Sequence, residues 1–104
     1  MSKERTLKNL RNGLKGTIHI YLKDSKTAMQ LLIDAENEGY KIGKKNPTEC
    51  DTDTFFSLGS NQLSYLNHIG RICFQCNGGT GSKGKYHRID YAKYKSGDID
   101  YYYH

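Results

Sequence analysis

The sequence predicts an α+β fold, with one main helix packed on an antiparallel β-meander and a short basic helix ahead of it. Three patterns carry that prediction. Thr17–Lys23 (TIHIYLK) is rich in β-branched and aromatic residues and sits between Gly16 and Asp24, which reads as a strand. Ser25–Gly39 repeats apolar residues at helical spacing. Beyond Asp53, short β-rich runs alternate with turn residues, as in a meander. A chain of 104 residues has room for one core. Residues 1–104 are therefore read as a single domain, with an α+β core over 16–95, a basic arm or short helix over 1–15 and a tyrosine-rich tail over 96–104.

In the arm, Leu7, Leu10 and Leu14 share a helix face while Lys3, Arg5, Lys8, Arg11 and Lys15 surround it, and Gly13 or Gly16 ends the turn. On the first strand Ile18, Ile20 and Leu22 face inward, which points His19 to solvent. Asp24 or Ser25 caps the main helix. Ala28, Leu31, Leu32 and Ala35 form its stripe, widened by Met29 and Ile33, and Gly39 stops it. Tyr40–Ile42 adds a short strand before the turn-rich Gly43–Asp53. Thr54–Leu58, Leu63–Asn67 and Arg71–Cys76 are the meander strands. Ser60–Ile69, started by Ser60 and stopped by Gly70, is a helical alternative within that region. Tyr86–Tyr94 (YHRIDYAKY) reads as the returning strand.

Charge and cysteine usage narrow the function. A net charge of +5 and a pI of about 9.1 suit an acidic partner, either nucleic acid or an acidic protein surface. No apolar run approaches the length of about 18 residues that a membrane span needs, and Met1–Lys15 lacks a signal-peptide centre. A soluble, cytoplasmic protein without a membrane partner is expected. In that reducing compartment its three cysteines are thiols, and metal ligation outranks disulfide formation.

The Arg71–Lys85 stretch, RICFQCNGGTGSKGK, is where metal chemistry is expected. Cys73 and Cys76 form a C-x-x-C pair at the end of an alternating run, with Asn77, Gly78 and Gly79 directly after it. A turn between two such thiolates aims both sulfurs at one point about 2.3 Å from each, as tetrahedral zinc requires. On a regular strand the two would lie on opposite faces, so a knuckle at a hairpin tip explains the pair better than burial does. Cys50, in an acidic loop, is the expected third ligand. His87, opposite Cys73 in a hairpin closed by the glycines, is the expected fourth, with His68 as the alternative. Such an ion is structural, because four protein ligands leave no open position for water.

Gly79–Gly84 satisfies G-x-G-x-x-G and Gly79–Lys85 nearly satisfies the phosphate-loop pattern. Both motifs require a helix N-terminus immediately afterwards, whereas Tyr86–Tyr94 is strand-like. The same region brings Lys83, Lys85, Arg88, Lys93 and Lys95 together with Tyr86, Tyr91 and Tyr94, a set able to neutralise phosphates and stack bases or to dock a partner. No carboxylate pair sits in an apolar setting and no third residue orients a Cys–His pair, so no catalytic residue is assigned and an enzyme is not expected.

The run CFQCNGGTG resembles one zinc repeat of the J-domain co-chaperones, C-x-x-C-x-G-x-G, with one added residue after Gly78. That family uses four repeats and this chain has one, so the likeness covers knuckle chemistry alone. More broadly, the strand-helix-meander layout, Glu38-Gly39-Tyr40-Lys41 closing the helix, and three cysteines resemble small phage-encoded anti-defence inhibitors. In particular they resemble the zinc-containing anti-CRISPR proteins directed at the type II RNA-guided nuclease. The resemblance implies a cytosolic inhibitor, monomeric or weakly dimeric, that binds the host defence nuclease by protein–protein contact and blocks DNA loading or cleavage. Many such inhibitors are acidic mimics of DNA. This chain is basic, which implies docking on an acidic or mixed protein surface instead. The alternative is a small zinc-containing nucleic-acid-binding module that uses the basic arm and the Lys/Tyr-rich hairpin.

Overall fold

The structure is a computed structural model. It describes residues 5–76 and 86–103, without the side chains of Cys73, Gln75 and Cys76. Strands β1 (Thr17–Tyr21), β2 (Phe55–Leu58), β3 (Leu63–Tyr65) and β4 (Tyr86–Asp90) form one sheet in the order β3-β2-β1-β4. The helices are α1 (Leu7–Gly13), α2 (Ser25–Asn37), α3 (His68–Cys76) and α4 (Tyr91–Ser96).

The α+β class holds, but the sheet is mixed rather than antiparallel. β1 pairs antiparallel with β2 and β2 with β3, whereas β4 lies parallel to β1, Ile20 opposite Ile89. β3 and β4 therefore run the same way, and such strands need a crossover rather than a hairpin. α3 supplies it. Arg71–Cys76, expected as a strand ending in a hairpin tip, is helical, and Ser60–Ile69 is not one helix, since β3 occupies its centre. A zinc knuckle is not shown among the described residues: Cys73 and Cys76 fall in the last turn of α3, and 77–85 lie outside the described residues. The expected returning strand Tyr86–Tyr94 ends at Asp90, whose carboxylate accepts from Lys93 N and caps α4.

Alternation along the strands sends side chains to both faces, and each face is covered. On one, Ile18, Ile20, Phe56, Leu58 and Ile89 pack with Ala28, Leu31, Leu32 and Ala35 of α2, the expected stripe. Leu7 and Leu10 of α1 and Tyr91 and Tyr94 of α4 join this core, so the N-terminal leucines belong to it. Met29 and Ile33, expected to widen the stripe, are 41% and 40% exposed. On the other face Phe55, Leu66 and Phe74 of α3 form a second cluster with Tyr21 and Tyr103. Complete burial of each large aliphatic or aromatic side chain contributes about 1.5–3 kcal/mol.

Polar ties set the peripheral elements. Asp24 caps α2 by accepting from Thr27 N at 2.7 Å, and Gly39, at φ +86°, takes the left-handed turn that ends it. Just before that glycine, the Glu38 carboxylate accepts from the first amides of α1, Leu7 N and Lys8 N, both at 2.9 Å. The tail is held against the outer edge of β4: Asp90 N donates to Tyr101 O at 2.8 Å and Tyr103 N to Arg88 O at 2.9 Å.

Candidate functional site

The residues singled out from sequence fall on different sides of the sheet. His87 is on the α2 side, in register with Ile18, and is 8% exposed. Its Nε2–H donates to the Lys15 carbonyl at 2.7 Å and its Nδ1 pairs with the Tyr102 hydroxyl at 2.7 Å. A ring with both nitrogens engaged has no lone pair free for a metal, and the sheet separates it from α3. In this structure His87, the expected partner of Cys73 and Cys76, is an internal hydrogen-bonding residue on the α2 side of the sheet. His68, the alternative ligand, is exposed at the first position of α3.

Cys73 and Cys76 bound the last turn of α3, where residues three apart are neighbours on one side of a helix rather than on opposite faces. Their side chains lie outside the described set, as does the glycine run Gly78–Gly84. Cys50 comes just after a 3-10 turn, Pro47–Glu49, is half-buried, and donates weakly to Asn46 O at 3.6 Å. Among the described residues, no three His, Cys, Asp or Glu side chains come together in a group able to hold a metal.

Of the expected Lys/Tyr set, the described members lie in different settings. Tyr91 is fully buried and Tyr94 is 4% exposed, because α4 turns both into the main core. Burial pushes the Tyr94 phenol up to about 12, and Tyr91 shifts further, by burial and then by its hydrogen bond to Asp34 Oδ2. Arg88 is 7% exposed on the α3 side. It donates to the Phe74 carbonyl at 2.5 Å, and its guanidinium lies over the Phe74 and Tyr103 rings. Lys95 bonds Arg5 O and sits 3.6 Å from Asp34 Oδ2. Lys93 and Tyr86 are half-buried, and Lys83 and Lys85 lie outside the described residues.

All four arginines are in fact committed within the chain. Arg5 donates to the carbonyls of Tyr94, Gly97 and Asp98, and Arg11 to those of Leu14, Gly16 and Leu58. Arg71 pairs with Asp53, and Arg88 with Phe74. Arg5 and Arg11 thus clamp the arm to the fold and are not free to contact phosphates, whereas Lys8 and Lys15 of the same arm are exposed.

The side that remains is α3 and the sheet face beneath it. Phe74 faces the sheet, fully buried, while Ile69 and Ile72, three apart, are 71% and 46% exposed. On the α3 side of the sheet His19, expected to face solvent, is half-buried. Its Nδ1 is hydrogen-bonded to the Tyr86 hydroxyl at 3.0 Å, and burial lowers its pKa. The isoleucines were legible only at helical period: Ile69, Ile72, Cys73 and Cys76 fall at i, i+3, i+4 and i+7, a spacing that a period-two reading of Arg71–Cys76 conceals. From Thr54 through Ile89 the chain contains no Asp or Glu, whereas Arg71, Lys83, Lys85 and Arg88 all fall there. No family model, no curated protein and no solved structure matches this chain.

Proposed function

We propose that the protein acts by binding another protein, as a phage-type inhibitor that docks on a host RNA-guided nuclease of type II and blocks DNA loading or cleavage. One observation carries this reading: the most exposed side of α3 presents Ile69 and Ile72, aliphatic groups that favour a protein surface. Several of the groups a nucleic-acid module would use are turned inward or already bonded within the chain. Tyr91 and Tyr94 cannot stack on bases from the core, and the arginines already bond carbonyls, Asp53 and aromatic rings. No catalytic role enters this reading.

The test is a cleavage assay with a guide-loaded type II effector, its DNA target and rising amounts of the purified chain. Inhibition that saturates at one chain per effector, with a complex that co-elutes at moderate salt, is the expected result. Full cleavage at a large excess of the chain, with no co-elution, would remove the proposal.

A further inference from the structure

We infer that residues 98–103 are a strap that opens and closes as one unit over the outer edge of β4, and that Arg5, from the arm ahead of α1, is its latch. This goes beyond the inhibitor reading and does not rest on it.

The strap joins the fold through an exposed turn. Residues 95–100 are all exposed, Gly97 takes a left-handed φ of +94°, and Ile99 is 97% exposed. Swinging this turn therefore uncovers no core of its own. Beyond it Tyr101, Tyr102 and Tyr103 are half-buried and reach both sides of the sheet. Asp90 N donates to Tyr101 O at 2.8 Å and Tyr103 N to Arg88 O at 2.9 Å, so the strap lies as an added strand along β4. The Tyr102 hydroxyl meets His87 Nδ1 on the α2 side, while the Tyr103 ring lies 4.8 Å from Tyr21 and 4.9 Å from Phe74 on the α3 side. Half-buried rings and edge hydrogen bonds open at a lower free energy than the fully buried stripe of α2, which makes the strap a local unit.

Arg5 bridges the seated and the releasable parts of this region. Tyr94, 4% exposed, belongs to the main core, and Arg5 donates to its carbonyl at 3.3 Å with the guanidinium 5.2 Å from its ring centroid. The same guanidinium donates to Gly97 O at 3.3 Å and Asp98 O at 3.0 Å and lies 5.3 Å from the Tyr101 centroid. One cation thus pins the turn and the first ring of the strap to a helix seated in the core. Opening leaves Asp90 N and Arg88 O unpaired on a sheet edge and lifts the Tyr103 ring, 5.3 Å from centroid to guanidinium, off Arg88. The arm is thereby coupled to the edge of β4 and, through Arg88 and the Phe74 carbonyl, to the seat of α3.

The test is residue-resolved native-state hydrogen exchange on the full chain across low denaturant concentrations, with Arg5→Gln as the variant. In the wild type the Asp90 and Tyr103 amides should exchange through an opening that denaturant hardly affects, ahead of the Leu31 and Leu32 amides of α2, which follow global unfolding. Arg5→Gln should speed Asp90 and Tyr103 at least about tenfold more than Leu31 and Leu32, the effect of losing a charged donor. Asp90 and Tyr103 sharing the rate and denaturant dependence of Leu31 and Leu32 in the wild type would overturn the strap. Equal acceleration of all four amides in Arg5→Gln, or none, would overturn the latch. If that variant does not fold, Arg5→Lys, which keeps the charge but loses the forked donor, decides in the same way. Selective speeding of Asp90 and Tyr103 then supports the latch, and uniform or absent speeding overturns it.

Discussion

The guanidinium of Arg88 donates to the Phe74 carbonyl at 2.5 Å while lying over the Phe74 ring, its centre 5.4 Å from the ring centroid. Phe74 O is among the last carbonyls of α3, which have no partner within the helix. Arg88 therefore closes the end of α3 and places a cation at its negative pole. This single side chain fixes the helix to β4.

Arg88→Met keeps an apolar stem but removes the donor and the stacked cation. A loss of about 2 kcal/mol is expected, the usual worth of a hydrogen bond from a charged donor. Native-state hydrogen exchange should localise it, with α3 amides exchanging faster and those of α2 nearly unchanged. Uniform acceleration across both helices would contradict the assignment of Arg88 to α3 alone.

His87→Ala leaves the Lys15 carbonyl and the Tyr102 hydroxyl without their imidazole partner and opens a void, at a cost of about 2–3 kcal/mol. Because the ring holds protein groups, denaturant midpoints of wild type and variant should differ by the same amount with and without chelator. A difference that vanishes in chelator would return His87 to a metal.

The phenols of Tyr91 and Tyr94 give the fold an alkaline limit. Both are raised above the ordinary value of 10.0, first by burial, Tyr94 to about 12 and Tyr91 beyond it. The unfolded chain releases these protons first, so their contribution is complete below pH 10 and declines as pH rises toward about 12. Absorbance at the tyrosinate band should show exposed tyrosines titrating early and these two ionising only together with loss of the near-ultraviolet circular dichroism signal. In Tyr91→Phe, which loses the bond to Asp34, the alkaline transition should involve one fewer late phenol.

Glu38→Ala frees the Leu7 and Lys8 amides at the start of α1. These are capping bonds from a carboxylate, so the cost should be about 1 kcal/mol. Proteolysis in the native state should then begin between α1 and β1, around Leu14–Gly16. Unaltered cutting sites would mean that Leu7 and Leu10 hold α1 without the cap.

Features of short range were written in the order of the residues. Asp24 and Gly39 bound α2, the Ala28–Ala35 stripe faces the core, and Ile18 and Ile20 point inward, since helix period, strand alternation and capping are properties of neighbouring residues. Long-range packing chose the remainder. RICFQC can satisfy period two or period 3.6, and the sheet's need for a crossover into a parallel β4 selected the helix, taking the C-x-x-C pair with it. In the same way Tyr91, Tyr94 and Arg88 look like a binding surface until α4 turns its two tyrosines into the core and Phe74 of α3 packs on Arg88. Whether a basic or aromatic side chain meets solvent depends on elements far along the chain, and here those elements left Ile69 and Ile72 outside instead.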